Sequence, residues 1–352
     1  MHGKSRKTKI ESMPLKLSKK KETAVPLAIF VLAVLILILF FGKIFQFSKT
    51  LFSPWMEKSS ISERTYTWNG EFNINVVLRG ENIFLLSYSP QNKSVTLIPL
   101  PKNTYIDTAF GMGQWQIGSV YNLGETSKTN GANLLEKTVA SLFGIPVDGF
   151  IQLEGSLSNK KADQIVDTLK KGPLNIFSII SDLKSDLTLW ELIKLKFALS
   201  DVKFNKVKIM DLQKLGVLSA EKLPDKTEIY SLDNARLDGV LSSLVDPVIR
   251  DESINISIFN GTDEPLLAKK GSRLLTNIGA NVITTSNTNK KFKKTFVYGK
   301  KSKTLTRIAQ VFNSPCQDKE ECDKTWPELK SETSFSRADI NVILGADFAE
   351  VY

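Results

Sequence analysis

The stretch FNINVVLRGENIFLLSYSPQNKSVTLIPL, Phe72 to Leu100, decides the fold of the first half of the chain. Apolar and polar residues alternate from Phe72 to Leu78. The pattern breaks at Arg79-Gly80-Glu81-Asn82, resumes from Ile83 to Tyr88, turns at Pro90-Gln91-Asn92-Lys93 and resumes at Ser94. A period of two is the signature of a strand, and Gly, Pro and Asn clusters between such runs are turn formers. The spacing therefore predicts a three-stranded meander. Its third strand runs into VTLIPLPKNTYID, Val95 to Asp107, a proline-stiffened loop that sets the cation Lys102 beside the uncharged amide of Asn103.

Downstream, GANLLEKTVASLFG has helical spacing. Leu134, Leu135, Val139, Leu142 and Phe143 fall on one face, and Gly144 is the stop. GFIQLEG then reads as another strand. The order strand, strand, strand, helix, strand predicts a mixed sheet packed with at least one helix. KKADQIVDTLKKG and DLTLWELIKLKFALS are further helices, with Ser185, Asp186 or Thr188 able to cap the second. VKFNKVKIMDL and TEIYSL read as closing strands.

After the helix-like DNARLDGVLSSLVDPVIRDES, a second domain opens with the strand INISIFNG. There follow an amphipathic helix, LAKKGSRLLTNIG, with Leu267, Leu274, Leu275 and Ile278 inward before Gly279, a strand, KTFVYG, a helix, TLTRIAQVF, and a last strand, ADINVILG. The fold class is α/β (α+β), with a first domain over 67–250 and a smaller one over 251–352.

Upstream of the first domain lies AVPLAIFVLAVLILILFFG, Ala24 to Gly42, without a charge. At about 1.5 Å per residue such a helix can just span a hydrocarbon core about 30 Å thick. Lys4, Arg6, Lys7, Lys9, Lys16, Lys19, Lys20 and Lys21 precede it against only Glu11 and Glu22, so most of the net charge of +10 sits in this tail. Basic flanks stay on the cytoplasmic side. The expectation is a cytoplasmic tail (1–23), an uncleaved transmembrane signal anchor (24–42) and a juxtamembrane connector (43–66). In the connector, Phe45, Phe47, Phe52 and Trp55 suit the lipid–water boundary. The domains beyond would then be extracytoplasmic. KIFQFSKTLF lacks the small-residue pattern of a signal-peptidase site.

With 42% hydrophobic and 24% charged residues, the 352-residue chain has a globular balance. Its single histidine is His2, so Ser-His, Cys-His and histidine–metal chemistry is excluded from the domains. The two cysteines, Cys316 and Cys322, lie in SPCQDKEECDKTWPE, which reads as a loop. They can close a small disulfide in an oxidising exterior, whereas a tetrahedral zinc site would be half empty. The lysine runs 290–294 and 300–303 read as a solvated face. With no reading helix or stacking motif, nucleic acid is not an expected partner.

INISIFNGTDEPLLAKKGSRLLTNIGANV together with the final NVILGADF resembles the LytR C-terminal domain. The matching residues are Asn260-Gly261-Thr262, Ala268, Gly279 and Leu344-Gly345-Ala346-Asp347-Phe348. The preceding domain resembles a divergent, shortened LytR-CpsA-Psr (LCP) domain, best over Thr138-Val139 and Gly144-Ile145-Pro146-Val147-Asp148. Active members of that family transfer glycopolymers from a polyprenyl pyrophosphate carrier to peptidoglycan. The resemblance implies an outward-facing cell-envelope protein whose partners are the membrane, a lipid-linked glycan, peptidoglycan or other envelope proteins.

The motif positions depart from that family. Its Ser-Ile-Pro-Arg-Asp-Thr loop corresponds to Pro99-Leu100-Pro101-Lys102-Asn103-Thr104, so an arginine has become lysine and an aspartate has lost its charge. A guanidinium grips a pyrophosphate through two parallel hydrogen bonds; an ammonium is a point charge. Between the first two strands only Glu81 stands near a metal-binding acid of the family, and one carboxylate is a poor magnesium site. The family's Lys-Ile-Asn corresponds to Gln116-Ile117-Gly118, and between Gly155 and Lys184 there is no arginine where active members carry several. The expectation is a non-catalytic binding or scaffolding role, a pseudoenzyme without a cofactor. The alternative is an active glycopolymer phosphotransferase using magnesium. Candidate carrier contacts are Arg79, Glu81, Lys102 and Asn103, and candidate groove aromatics are Trp115 and Tyr121.

Overall fold

A computed structural model describes Lys43 and residues 66–171, 183–223 and 226–352. The basic tail, the apolar run 24–42 and the connector between Lys43 and Tyr66 lie outside the described residues. Among the described residues, no helix is long and apolar enough to cross a membrane. Every element below belongs to one compact unit within Phe52–Tyr352.

The meander forms as the alternation predicts: β1 (Ile74–Arg79), β2 (Ile83–Ser89) and β3 (Ser94–Leu100) pair antiparallel, with Arg79 opposite Ile83 and Ser89 opposite Ser94. The first turn needs glycine, because a Cβ on Gly80 would stand 2.4 Å from the Ser158 carbonyl oxygen. Next come a ribbon of β4 (Tyr105–Asp107) and β5 (Gln114–Gln116), then α1 (Ile117–Thr126) and α2 (Gly131–Phe143). Asn130 caps α2, its Oδ1 accepting from the backbone of Ala132 and Asn133. Gly144 ends α2 in the left-handed conformation at φ 56°.

β6 (Gly149–Leu153) returns parallel to β1. It is followed by α3 (Ala162–Lys170), β7 (Leu183–Ser185) and α4 (Leu189–Ser200). Thr188 is the α4 cap, in a reciprocal capping box with Glu191. β8 (Val207–Ile209) completes a six-stranded mixed sheet of order β7-β6-β1-β2-β3-β8. β9 (Leu218–Lys222) and β10 (Glu228–Leu232) form a separate ribbon, so TEIYSL does not close the main sheet. α5 (Asn234–Val240) and α6 (Pro247–Glu252) lead out of this half.

Both faces of the sheet are covered, so its strands are richer in apolar residues than half-exposed strands would be. Val77, Leu85 and Ile98 face the layer holding Leu134, Leu135, Val139 and Phe143 of α2; Val76, Leu86 and Leu97 face the layer holding Leu192, Leu195 and Leu199 of α4. Each such aliphatic side chain contributes about 1.5–3 kcal/mol by leaving water.

The second half carries β11 (Asn255–Asn260), α7 (Leu267–Asn277), β12 (Asn281–Asn287), β13 (Phe296–Gly299) and α8 (Lys303–Val311). After these come α9 (Lys319–Thr325), α10 (Pro327–Glu332), β14 (Ile340–Leu344) and α11 (Ala346–Ala349). Its sheet has the order β12-β11-β14-β13, with β13 and β14 antiparallel and the other pairs parallel. The segment SPCQDKEECDKTWPE is not a loop: it contains α9 and the start of α10, with Asp318 capping α9 through Glu321. Only Cys322 of α9 is buried, so no apolar face announces the helix. Although there are two main sheets, one apolar core runs from α2 into β11, α7 and β14.

Candidate functional site

The carboxyl ends of the parallel strands β1 and β6 meet α1, and this edge gathers several of the residues singled out from sequence. The Arg79 guanidinium lies over the Tyr121 ring, 3.9 Å from its centroid. Its Nη1 donates to Gln152 Oε1 at 2.8 Å, and its Nη2 donates to Asn122 Oδ1 at 3.5 Å. Tyr121 in turn stacks on Phe150, with centroids 5.7 Å apart. Burial lowers the Arg79 pKa from its ordinary value, with Tyr121 and Glu125 opposing it; burial likewise raises that of the Tyr121 phenol.

Lys102 reaches the same helix. A Cβ on Gly118 would lie 2.9 Å from Lys102 Cβ, and Gly118 N donates to the Lys102 carbonyl at 2.9 Å. Gly118 and Tyr121 are three positions apart, neighbours on a helix surface. The Lys102 backbone and Cβ therefore lie against the first turn of α1, and Arg79 packs on Tyr121 one turn further along it. Asn103 is not part of this edge: its Nδ2 donates to the Glu228 carbonyl at 2.6 Å and its carbonyl accepts from Tyr230 N at 3.1 Å, fastening the loop to β10. Glu81 sits exposed in the β1–β2 turn, with its backbone N–H on the Ser158 carbonyl at 2.7 Å. Trp115 stands on the ribbon, 42% exposed, its Nε1 donating to the Met112 carbonyl. Between the sheet and α2, Leu134, Leu135, Val139 and Phe143 are fully buried in the apolar core.

The sequence reading missed a seam between the halves. Arg307 of α8 and Asp148 form an ion pair at 2.8 Å with side chains only 3% and 1% exposed. Asp148 Oδ2 accepts from Asn75 N at 2.8 Å, and its Oδ1 accepts from the Tyr66 hydroxyl. Burial opposes the Arg307 charge, and the Asp148 carboxylate and the Tyr66 hydroxyl together more than offset this, so its pKa lies above the ordinary value. A second fastening lies at the end of α2. Arg273 donates to the carbonyls of Ser141 (2.7 Å) and Leu142 (2.8 Å) and grips Asp238 through Nε and Nη2, while Asn277 Nδ2 donates to the Phe143 carbonyl at 3.0 Å. These are the carbonyls a helix leaves without intrahelical partners, at the negative end of its dipole. Arg307 left one signal in the sequence: it falls among the buried positions Thr304, Leu305 and Ile308 of an amphipathic helix.

The motif residues of the second half are structural. Asn260 Oδ1 accepts from Thr262 N and Oγ1, and Gly261 N donates to the Leu344 carbonyl at 2.9 Å. Gly345 N donates to Thr295 Oγ1, and Asp347 accepts from Thr295 N at 3.1 Å and Oγ1 at 2.7 Å. A Cβ on Gly261 would approach the Leu344 oxygen to 2.7 Å, and one on Gly345 would approach the Lys294 backbone to 2.4 Å. The two ends of the domain thus lock onto one another. The structure also joins Cys316 and Cys322 in a disulfide beside Tyr298 and Leu329.

The fold is mixed α/β with helices packed on two sheets. Residues 253–348 match the model of the LytR cell envelope-related transcriptional attenuator family, so the second half is a LytR C-terminal domain. No curated protein matches the chain by sequence. Among solved structures it is similar to B. subtilis TagV, at 12% identity and TM-score 0.39 over 49% of this chain and 96% of that one. It is also similar to B. subtilis TagT, at 16% identity and TM-score 0.35 over 55% of this chain and 97% of that one. A third is the LytR-CPS2A-psr family protein YwtF (TagT) with bound octaprenyl pyrophosphate lipid, at 16% identity and TM-score 0.36 over 54% of this chain and 96% of that one.

Proposed function

We propose that this is a membrane-anchored, extracytoplasmic envelope protein whose LCP-like domain holds a lipid-linked glycan without transferring it, the LytR C-terminal domain serving as a fixed companion module. The anchor is residues 24–42 and the tail before it is cytoplasmic. One observation supports the reading: of the residues standing at the family's loop motif, Lys102 packs against the first turn of α1, the helix on which Arg79 rests, whereas the Asn103 amide is engaged in fastening the loop to β10. Arg79 itself is half-buried and held by Tyr121, Gln152 and Asn122. Two cations from neighbouring elements that both pack on α1 suit a diphosphate contact. Transfer requires further preorganised charge around the moving phosphoryl group.

The test uses the full-length chain in vesicles containing a polyprenyl pyrophosphate-linked glycan. Retention of the carrier that weakens several-fold in Arg79→Ala and in Lys102→Ala, with no release of polyprenyl phosphate when magnesium is added, supports the reading. Magnesium-dependent transfer supports the phosphotransferase alternative, and retention indifferent to both substitutions removes the α1 edge from the account.

A further inference from the structure

We propose that a cavity on the seam between the two halves is a binding site for a neutral saccharide of one or two rings. It shares no lining residue with the Arg79–Tyr121 edge, so it stands whether or not that edge holds a carrier.

The cavity has a volume of about 390 Å³, within the range of roughly 300–1,000 Å³ typical of small-molecule sites. One wall is α2, from which Asn133 and Lys137 face it; the opposite wall is the end of α8, with Gln310 and Phe312, and the last turn of the chain. Phe312, Phe348 and Tyr352 form a row of rings, with successive centroids 5.4 and 4.5 Å apart.

A pyranose has apolar C–H faces and a rim of hydroxyls that both donate and accept. Phe312 and Phe348 are buried, so the partly exposed ring of Tyr352, stacked on Phe348, is the one of the row that can meet the former; planar amides such as Asn133 and Gln310, each carrying two donors and an acceptor, match the latter. The charges point to a neutral ligand: Glu136, Asp347 and Glu350 are set against Lys137 and Lys294, leaving no excess of cations for a phosphate. A hydrocarbon chain is the wrong occupant, since it would strip water from those amides and acids without replacing its hydrogen bonds.

The experiment is saturation-transfer NMR and titration of the full-length chain with maltose and with N,N′-diacetylchitobiose, repeated on Asn133→Ala and Gln310→Ala. These half-exposed positions come from opposite walls and are suited to truncation without loss of the fold, which the thermal midpoint checks. The expected result is saturable transfer from at least one disaccharide, with affinity falling roughly tenfold in each variant, as for the loss of one polar contact. Absence of saturable binding by both probes overturns the proposal. So does an affinity within about twofold of the parent in either variant, or inorganic pyrophosphate losing its binding in those same variants.

Discussion

Removing the guanidinium of Arg307 should separate the two halves energetically. In Arg307→Met the Asp148 carboxylate, 1% exposed, keeps Asn75 N and the Tyr66 hydroxyl but loses its only charged partner among the described residues. Leaving one member of a buried pair uncompensated costs about 3–5 kcal/mol, whereas replacing both members by neutral groups of similar size is often close to neutral. Arg307→Met and Asp148→Asn should each destabilise by about that amount, and the double variant should cost far less than their sum. The expected coupling energy is about 2–4 kcal/mol. The assay is urea unfolding of the four proteins followed by far-ultraviolet circular dichroism and by fluorescence, coincident curves being required before a single free energy is assigned. Hydrogen exchange should report faster opening in β1 near Asn75 and in α8 in both single variants. Single-variant costs under about 1 kcal/mol that add to within about 0.5 kcal/mol would refute the reasoning.

Three other outcomes follow from the second half. Gly345→Ala forces a Cβ against the Lys294 backbone and should destabilise by about 1–3 kcal/mol, read from the urea midpoint, whereas the same change at Gly239, which has open space around its Cβ position, should be tolerated. Cys322→Ser removes a disulfide closing a short loop and should cost roughly 2 kcal/mol; reduction of the parent protein should reproduce most of that loss in thermal scans. Burial pushes the Tyr298 phenol up to about 12 from an ordinary 10, so above pH 10 the unfolded chain releases this proton while the folded protein keeps it. Stability should therefore fall between pH 10 and 12, by at most about 2.7 kcal/mol from this group, and Tyr298→Phe should flatten the slope; an unchanged slope would contradict the assignment.

The meander was legible because turn chemistry interrupted runs with a period of two, and α2 because its apolar residues keep helical spacing up to the Gly144 stop. α1 was not, since Gly118 and Gly124 sit inside it. Their reason is tertiary: Gly118 lies against Lys102, and Gly124 lies against Gly131 and Asn130 at the start of α2, where a side chain would clash. β12 escaped notice because most of its residues are exposed, so no alternation marks it, and α9 because a polar helix buries little beyond its disulfide. At the candidate site, residue chemistry pointed to Arg79 and Lys102; Arg79 packs on Tyr121 of α1, and the Lys102 backbone lies against Gly118 of the same helix. The Asn103 amide turns to a backbone carbonyl of β10, more than a hundred positions away, and no local pattern carries that pairing. The Arg307–Asp148 pair was hidden likewise, although Asp148 belongs to a stretch singled out on other grounds.

The most direct measurement is a turnover assay on the full-length chain, supplied with magnesium, a polyprenyl pyrophosphate-linked sugar and a peptidoglycan acceptor. The account predicts that the lipid-linked sugar is retained, in a manner sensitive to Arg79 and Lys102, and is recovered unchanged. Release of polyprenyl phosphate with the sugar joined to the acceptor would contradict it.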